Sequence, residues 1–281
     1  MTEAQKQPDY SMEISIRKGG VASVKQNAQI EMRGDSSLKM LLDALFKLVG
    51  QVGINRDITI HIGDYPQQAI EKDHFYYCIA DEKDINHVIP DFVFDSWKLA
   101  GIENYTTTIN EIISRGNQPY ESEKLFWIGN VKTHRNRAKL MEIAQAHPDK
   151  IEAYDTMVRD KFLGKPASYI SLPDHTKYKY LIDIEGNGYS GRIPFLLASQ
   201  RVLFIQERKW KSYFHFSLEP YKHFIPVKND LSNLLHQIKF MEAQGEEYYR
   251  KIAHNALEFV QNKLTYEKAV NVLLFKLLQA H

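Results

Sequence analysis

The chain has 281 residues, 43% hydrophobic and 25% charged, with 36 basic against 35 acidic side chains for a net charge of +1. This composition excludes a disordered chain, and the length predicts two domains rather than one. Because the cations are spread along the sequence instead of gathered, no nucleic-acid partner is expected. The single cysteine, Cys78, lies in an apolar run over 75–79, which excludes an internal disulfide framework and reads as core in a reducing compartment. No run approaches the roughly 20 apolar residues that cross a bilayer, and residues 1–10 are polar. A cytoplasmic protein is therefore expected; its 16 Tyr, 14 Phe and 3 Trp are compatible with peripheral attachment to the inner membrane.

Residues 12–17 and 28–32 alternate apolar with polar side chains around Gly19-Gly20, which predicts a hairpin. Ser36-Ser37 precedes Leu38, Leu41, Leu42, Leu45 and Phe46 at helical spacing, so a capped helix ending at Gly50 and Gly53 is predicted. Strands are predicted over 57–62, 74–80 and 88–94, the first running directly into Gly63-Asp64-Tyr65-Pro66. Open α/β sheets hold ligands beyond the carboxyl ends of their strands, which makes Asp64 a candidate functional carboxylate, with an Asx-type turn as the competing reading. His61, one position inside that strand, reads as a packed side chain. A helix over 105–118 and a crossing at 117–120 lead to a strand over 125–130. That strand turns at Gly129 into a basic loop carrying Lys132, His134, Arg135 and Arg137, readable as an anion site or as a solvated turn. A strand or loop over 151–155, strands over 202–205 and 224–227, a helix capped by Asp230, and helices over 245–264 and 266–278 complete the pattern.

The stretch 177–197 reads as strand, glycine loop, helix: Gly186, Gly188 and Gly191 interrupt an apolar strand before an apolar helical run. Such a loop brings backbone N–H groups onto an anion at a helix start, where Arg192 would fork onto a phosphate. The spacing is neither G-x-G-x-x-G nor a Walker A sequence, so generic nucleotide motifs do not decide the ligand.

Asp174-His175 with Lys177–Leu181, the loop from Gly186 to Arg192, and the run Tyr221–Asn233 together resemble glycosyltransferase family 90. Gly63–Gln67, Phe126–Gly129 and Gly164–Ala167 fall in the family's order, so the resemblance spans about 57–264. It implies a GT-B fold, α/β with two Rossmann-like domains facing a cleft: an acceptor-side domain over 1–119, a UDP-sugar domain over 120–264 and a C-terminal helix over 265–281. It also implies transfer of a hexose, glucose or galactose, from a UDP-sugar to a glycan hydroxyl with inversion and without a cofactor or metal. The acceptor implied is bacterial lipopolysaccharide core or a related glycan. By the family's pattern Asp64 would be the base. Arg192, Gly186, Asn187, Gly188, Tyr189, Ser190 and Gly191 would cradle the diphosphate, with Gly129, Asn130 and either Arg137 or its rival Arg135 beside them.

Two other classes remain in play. Asp183 and Glu185, at i and i+2 on a strand, share a face, as a metal-binding pair of a GT-A-type transferase would. A non-catalytic sugar-binding protein would use the same aromatic loops without turnover.

Overall fold

The computed structural model describes residues 10–26, 31–48, 54–158 and 169–279. Its first sheet joins β1 (Ser11–Arg17), β2 (Gly20–Gln26), β3 (Arg56–His61) and β4 (His74–Tyr76) in the order β2-β1-β3-β4. β1 is antiparallel to β2 and β3, and β3 is parallel to β4. The hairpin turn is Lys18-Gly19, both at positive φ, a geometry that matches the twist of the flanking strands. So tight a turn makes residues 20–26 the partner strand rather than 28–32. Met32 instead lies in α1 (Glu31–Phe46), and 28–30 fall outside the described residues, as do Gly50, Gly53 and 164–167. Ser36 and Ser37 sit buried within α1 rather than capping it: Ser36 donates to Asp95 at 2.8 Å and Ser37 pairs with Tyr77.

The strand predicted over 88–94 does not form. Pro90 has no N–H to give a ladder; Val88 makes one bridge to Tyr76, and Phe92–Phe94 is a 3₁₀ turn. α2 (Tyr105–Gly116) then carries the chain to the second sheet. There β5 (Ser122–Gly129), α3 (Arg135–Ala146), β6 (Ile151–Asp155), β7 (Tyr178–Asp183), α4 (Ile193–Leu197), β8 (Val202–Gln206) and β9 (Ile225–Val227) follow in turn. The strands are all parallel in the order β6-β5-β7-β8-β9. The chain ends in α5 (Leu234–Lys263) and α6 (Tyr266–Leu278). α5 starts beyond Asp230, which accepts the Ser232 N–H in a local turn instead, and it kinks at Gly245, where φ is 78°.

Period-two alternation divides the second sheet between two cores. Leu125 and Trp127 of β5 join Tyr180, Ile182 and Phe204 under α3 and the first part of α5. Phe126 and Ile128 point the other way, into a cluster with Leu181, Leu203, α2, α4 and the strands of the first sheet. One core therefore runs through both halves. α6 packs on α1, and the Tyr105 hydroxyl donates to the Leu264 carbonyl at 2.5 Å, tying the chain's end to its first half.

From β5 the chain moves to β6 on one side, then crosses to β7 on the other. That reversal leaves a crevice beyond the carboxyl ends of β5 and β7, the position where open α/β sheets bind ligands. Phe195 is fully buried against Tyr105 at a ring separation of 5.1 Å in the shared core. Truncation Phe195→Ala should cost about 3–5 kcal/mol, read as a lowered midpoint with an unchanged slope in urea unfolding.

Candidate active site

A cavity of about 510 Å³ opens at this reversal point, and the first half of the chain closes its other wall. Asp64, Gly129, Asn130, Arg137, Arg192 and the whole loop 186–191 line it. Arg135 does not: it is exposed at the first position of α3 and outside the lining. Two residues apart at a helix start, side chains diverge by about 200°, so only one of the two arginines faces inward.

The loop glycines are there for close approach, not for unusual φ. Among the described residues only Gly19, Gly101 and Gly245 have positive φ for a glycine. A Cβ on Gly188 would lie 1.9 Å from the Asp64 carbonyl oxygen, and one on Gly191 would lie 2.8 Å from Val93 Cγ1. The second half thus presses its loop directly onto the first half at the candidate acid. The N–H groups of Gly186, Asn187 and Gly188 donate to no protein acceptor among the described residues. α4 has only five residues and Pro194 in its first turn, so the macrodipole expected behind the loop is missing; the loop's own N–H groups and nearby cations must supply the positive field.

Those cations are braced from within. Arg192 Nη1 donates to the Ile128 carbonyl at 2.6 Å and Nη2 to Asp183 at 3.1 Å, so the residue lines the crevice as a strut rather than as a free fork. Arg208 Nη1 lies 2.7 Å from the other Asp183 oxygen, and Ser190 donates to Asp183 at 2.8 Å. Burial alone would raise the Asp183 carboxyl, but Arg208 and then Arg192 hold it below the ordinary carboxylate range. Arg137 donates to the Glu185, Asn130 and Ile184 carbonyls at 2.9, 3.1 and 3.1 Å, stapling the β5 loop to the β7 loop. Burial, then neighbouring Arg192, pushes Arg137 down to about 9. It remains protonated at neutral pH and forms no ion pair among the described residues; Asp183 and Glu185 offset burial and the neighbouring cations only in part.

Asp183 and Glu185 do not form a metal pair. Asp183 is fully buried and held by two guanidiniums and a hydroxyl, while Glu185 accepts from Asn229 at 3.0 Å and faces His134 at 3.4 Å.

Asp64 stands across the crevice with a half-buried carboxylate. Arg33 Nη1 reaches its Oδ1 at 3.0 Å, and Asn187 Nδ2 donates to its Oδ2 at 3.3 Å. An acid on one wall thus faces unpaired N–H donors and excess positive charge on the other.

The sequence profile described as "Glycosyl transferase family 90" matches residues 3–281. The chain belongs to this family. Among curated proteins it is 26% identical over 259 residues to Protein O-glucosyltransferase 2 of Danio rerio, covering 86% of this chain and 51% of that one. It is 32% identical over 140 residues to Protein O-glucosyltransferase 1 of Homo sapiens, covering 47% of this chain and 35% of that one. The chain thus spans about half or less of the length of these relatives. Among solved structures, sucrose-phosphate synthase from Thermosynechococcus elongatus aligns with a TM-score of 0.42 at 12% identity, over 60% of this chain and 48% of that one. The C-terminal domain of a glycosyl transferase group 1 family protein from Francisella tularensis aligns with a TM-score of 0.36 at 14% identity, over 55% and 92%.

Several residues in and behind this family 90 crevice were not among the site residues expected from the sequence, although His175 belongs to a stretch that carries the resemblance. Arg33 lies 31 positions before its partner on a helix with no motif around it. Arg208 was hidden in an aromatic loop, and only the two-oxygen demand of a buried Asp183 reveals its purpose. His175 lines the cavity with Nδ1 donating to the Ser171 carbonyl at 2.7 Å, and burial pushes it down to about 4, so it is neutral with Nε2 as an acceptor. Asp91 is buried beside Tyr189, and burial raises its carboxyl to about 7 despite the Val93 N–H and Tyr189 hydroxyl.

Two outcomes follow from these contacts. Gly188→Ala should force the loop from Asp64 and cost about 1–3 kcal/mol or more, read by thermal melting. Asp91 has a folded pKa above its unfolded one, so it binds its proton more tightly when folded. Ionising it therefore costs stability as pH rises from about 4 to about 7, and the full cost is present above that. Asp91→Asn should melt higher than wild type at pH 8, with the gain vanishing toward pH 4.

Proposed function

We propose that this family 90 member transfers a hexose from a UDP-sugar to an acceptor hydroxyl with inversion, using Asp64 as the base. The observation that carries the reading is the crevice itself, with one carboxylate on the first half facing a cation-braced, donor-rich loop on the second. Asp64 takes the hydroxyl proton while the acceptor oxygen bonds to the anomeric carbon; the carbon–oxygen bond to the diphosphate breaks, its electron pair leaving with UDP. The charge that develops on the leaving oxygens meets the N–H groups of Gly186, Asn187 and Gly188, with Arg137 and Arg192 beneath them. Fixed dipoles in a partly enclosed site stabilise such charge without reorganising. No step of this scheme calls on a metal.

Glucose is the donor sugar favoured by the names of the curated relatives, with galactose the other hexose to test. Those names favour a protein hydroxyl as acceptor over the lipopolysaccharide core expected from the family's bacterial branch, so both belong in the assay. Peripheral membrane association enters only with a lipid-borne acceptor.

Asp64→Asn decides between enzyme and binding module. The variant should lose transfer by about 10²-fold or more, the range of a general base, while UDP raises its melting temperature as much as it raises that of wild type. Transfer surviving in Asp64→Asn would remove Asp64 from the chemistry. A wild-type chain that binds sugars yet turns over no UDP-sugar would make this a binding protein, and loss of transfer in EDTA would reinstate a metal.

A further inference from the structure

We propose that Arg33 and Asn187 are positioning residues that clamp the Asp64 carboxylate from opposite halves of the molecule, and that Asn187 serves the acid rather than the diphosphate. The inference rests on the reading of Asp64 as the base. Each carboxylate oxygen has one partner: Oδ1 is ion-paired with Arg33 Nη1 at 3.0 Å and Oδ2 accepts from Asn187 Nδ2 at 3.3 Å. An ionised carboxylate has about four acceptor sites, so both oxygens keep a lone pair for an incoming hydroxyl while the plane of the group is fixed.

Arg33 is anchored through its side chain, whereas Asn187 is exposed and is placed by its backbone. The Arg33 guanidinium also donates to the Ile62 carbonyl at 3.0 Å, just beyond β3, and lies 5.1 Å from the Phe92 ring centroid. Burial would lower its pKa, but Tyr189, then Asp64, more than offset this. Asn187 is held by its neighbour: Gly188 is packed so tightly on the Asp64 carbonyl that no other residue fits. The amide that orders the acid therefore belongs to the same loop whose N–H groups face the leaving diphosphate. Folding therefore orders the base and the leaving-group loop together.

Among the described residues, the following groups surround the Asp64–Arg33 pair. α1 contributes Arg33; the segment after β4 contributes Tyr77 and Cys78, whose thiol donates to the Asp64 carbonyl at 3.2 Å. The turn before Phe92 contributes Asp91, and the glycine loop contributes Asn187 and Tyr189. On the Tyr65 side, Lys209 lies over the Trp210 ring that stacks on Tyr65. Burial raises Tyr77, Cys78 and Tyr189, which stay neutral through the range where carboxylates titrate. Asp91 titrates nearby and faces Arg33, so Asp91→Asn is the background in which each profile is repeated.

The test uses the full chain with Arg33→Met, Arg33→Lys, Asn187→Ala and Asn187→Asp. Arg33→Met should lower kcat by about tenfold to a hundredfold, the cost of a misplaced reacting group, with the UDP-induced melting shift unchanged and partial rescue in Arg33→Lys. Asn187→Asp sets a second carboxylate beside the first. It should move the acid limb of the kcat/KM profile up by about one pH unit or more; Asn187→Ala should slow transfer without weakening UDP. The pH response of the Asp64 side-chain ¹³C signal reads the same clamp without turnover. It should move to higher pH in Arg33→Met and Asn187→Asp even if the transferase reading fails. Folded variants with wild-type kcat and unmoved profiles would overturn the clamp, and an Asn187→Ala that loses UDP affinity at unchanged kcat would return Asn187 to the diphosphate.

Discussion

The contact on which the site depends is the one between Gly188 and the backbone of Asp64. No side chain fits between them, so the loop after β7 and the turn after β3 share one van der Waals surface, and the crevice has two walls at a fixed spacing. Gly191 against Val93 makes the same kind of contact a few residues on. A loop that exploited glycine for left-handed backbone would be shaped by its own torsions. This one is shaped by what it touches, and its geometry therefore belongs to both halves together.

Positive charge at the same place is organised by subtraction. Asp183, at the carboxyl end of the central strand β7, pairs with both Arg192 and Arg208, and Arg137 directs its donors to three carbonyls. The guanidiniums thus hold the loops at the ends of β5 and β7 in register, and what remains is a net field rather than a set of free forks. Bare arginines reaching for a ligand would have to be ordered on each binding event, at a cost of about 0.5–1.5 kcal/mol per side chain. Here that ordering has been done by folding.

The parallel sheet was largely legible because its strands are buried on both faces and read as continuous apolar runs, as in residues 125–129 and 202–205. The first sheet was less so: β4 is three residues long, Pro90 breaks the run after it, and β2 is mostly exposed, leaving little hydrophobic contrast to read. In the site, residues adjacent in sequence to a turn, such as Asp64 and the loop 186–191, were found by position. The helix after Arg192 starts where the sequence places it but is only five residues long; a short apolar helix looks the same in sequence as the first turn of a long one. Arg33, Arg208 and Asp91 left no local trace, since each is defined by a partner distant in the chain.

This division follows from how specificity is stored. A strand or glycine loop is specified by neighbours within ten residues, so sequence patterns carry it. The state of a carboxylate is specified by whatever the fold brings within about 4 Å, because Coulomb terms fall with distance and grow with desolvation. Asp64, Asp91 and Asp183 are the same residue type in three environments: clamped by one cation and one amide, buried beside a phenol, and locked between two guanidiniums. Only the first lines the crevice. That difference, rather than residue type or any motif, is why the proposal gives the proton-accepting role to Asp64 among the three.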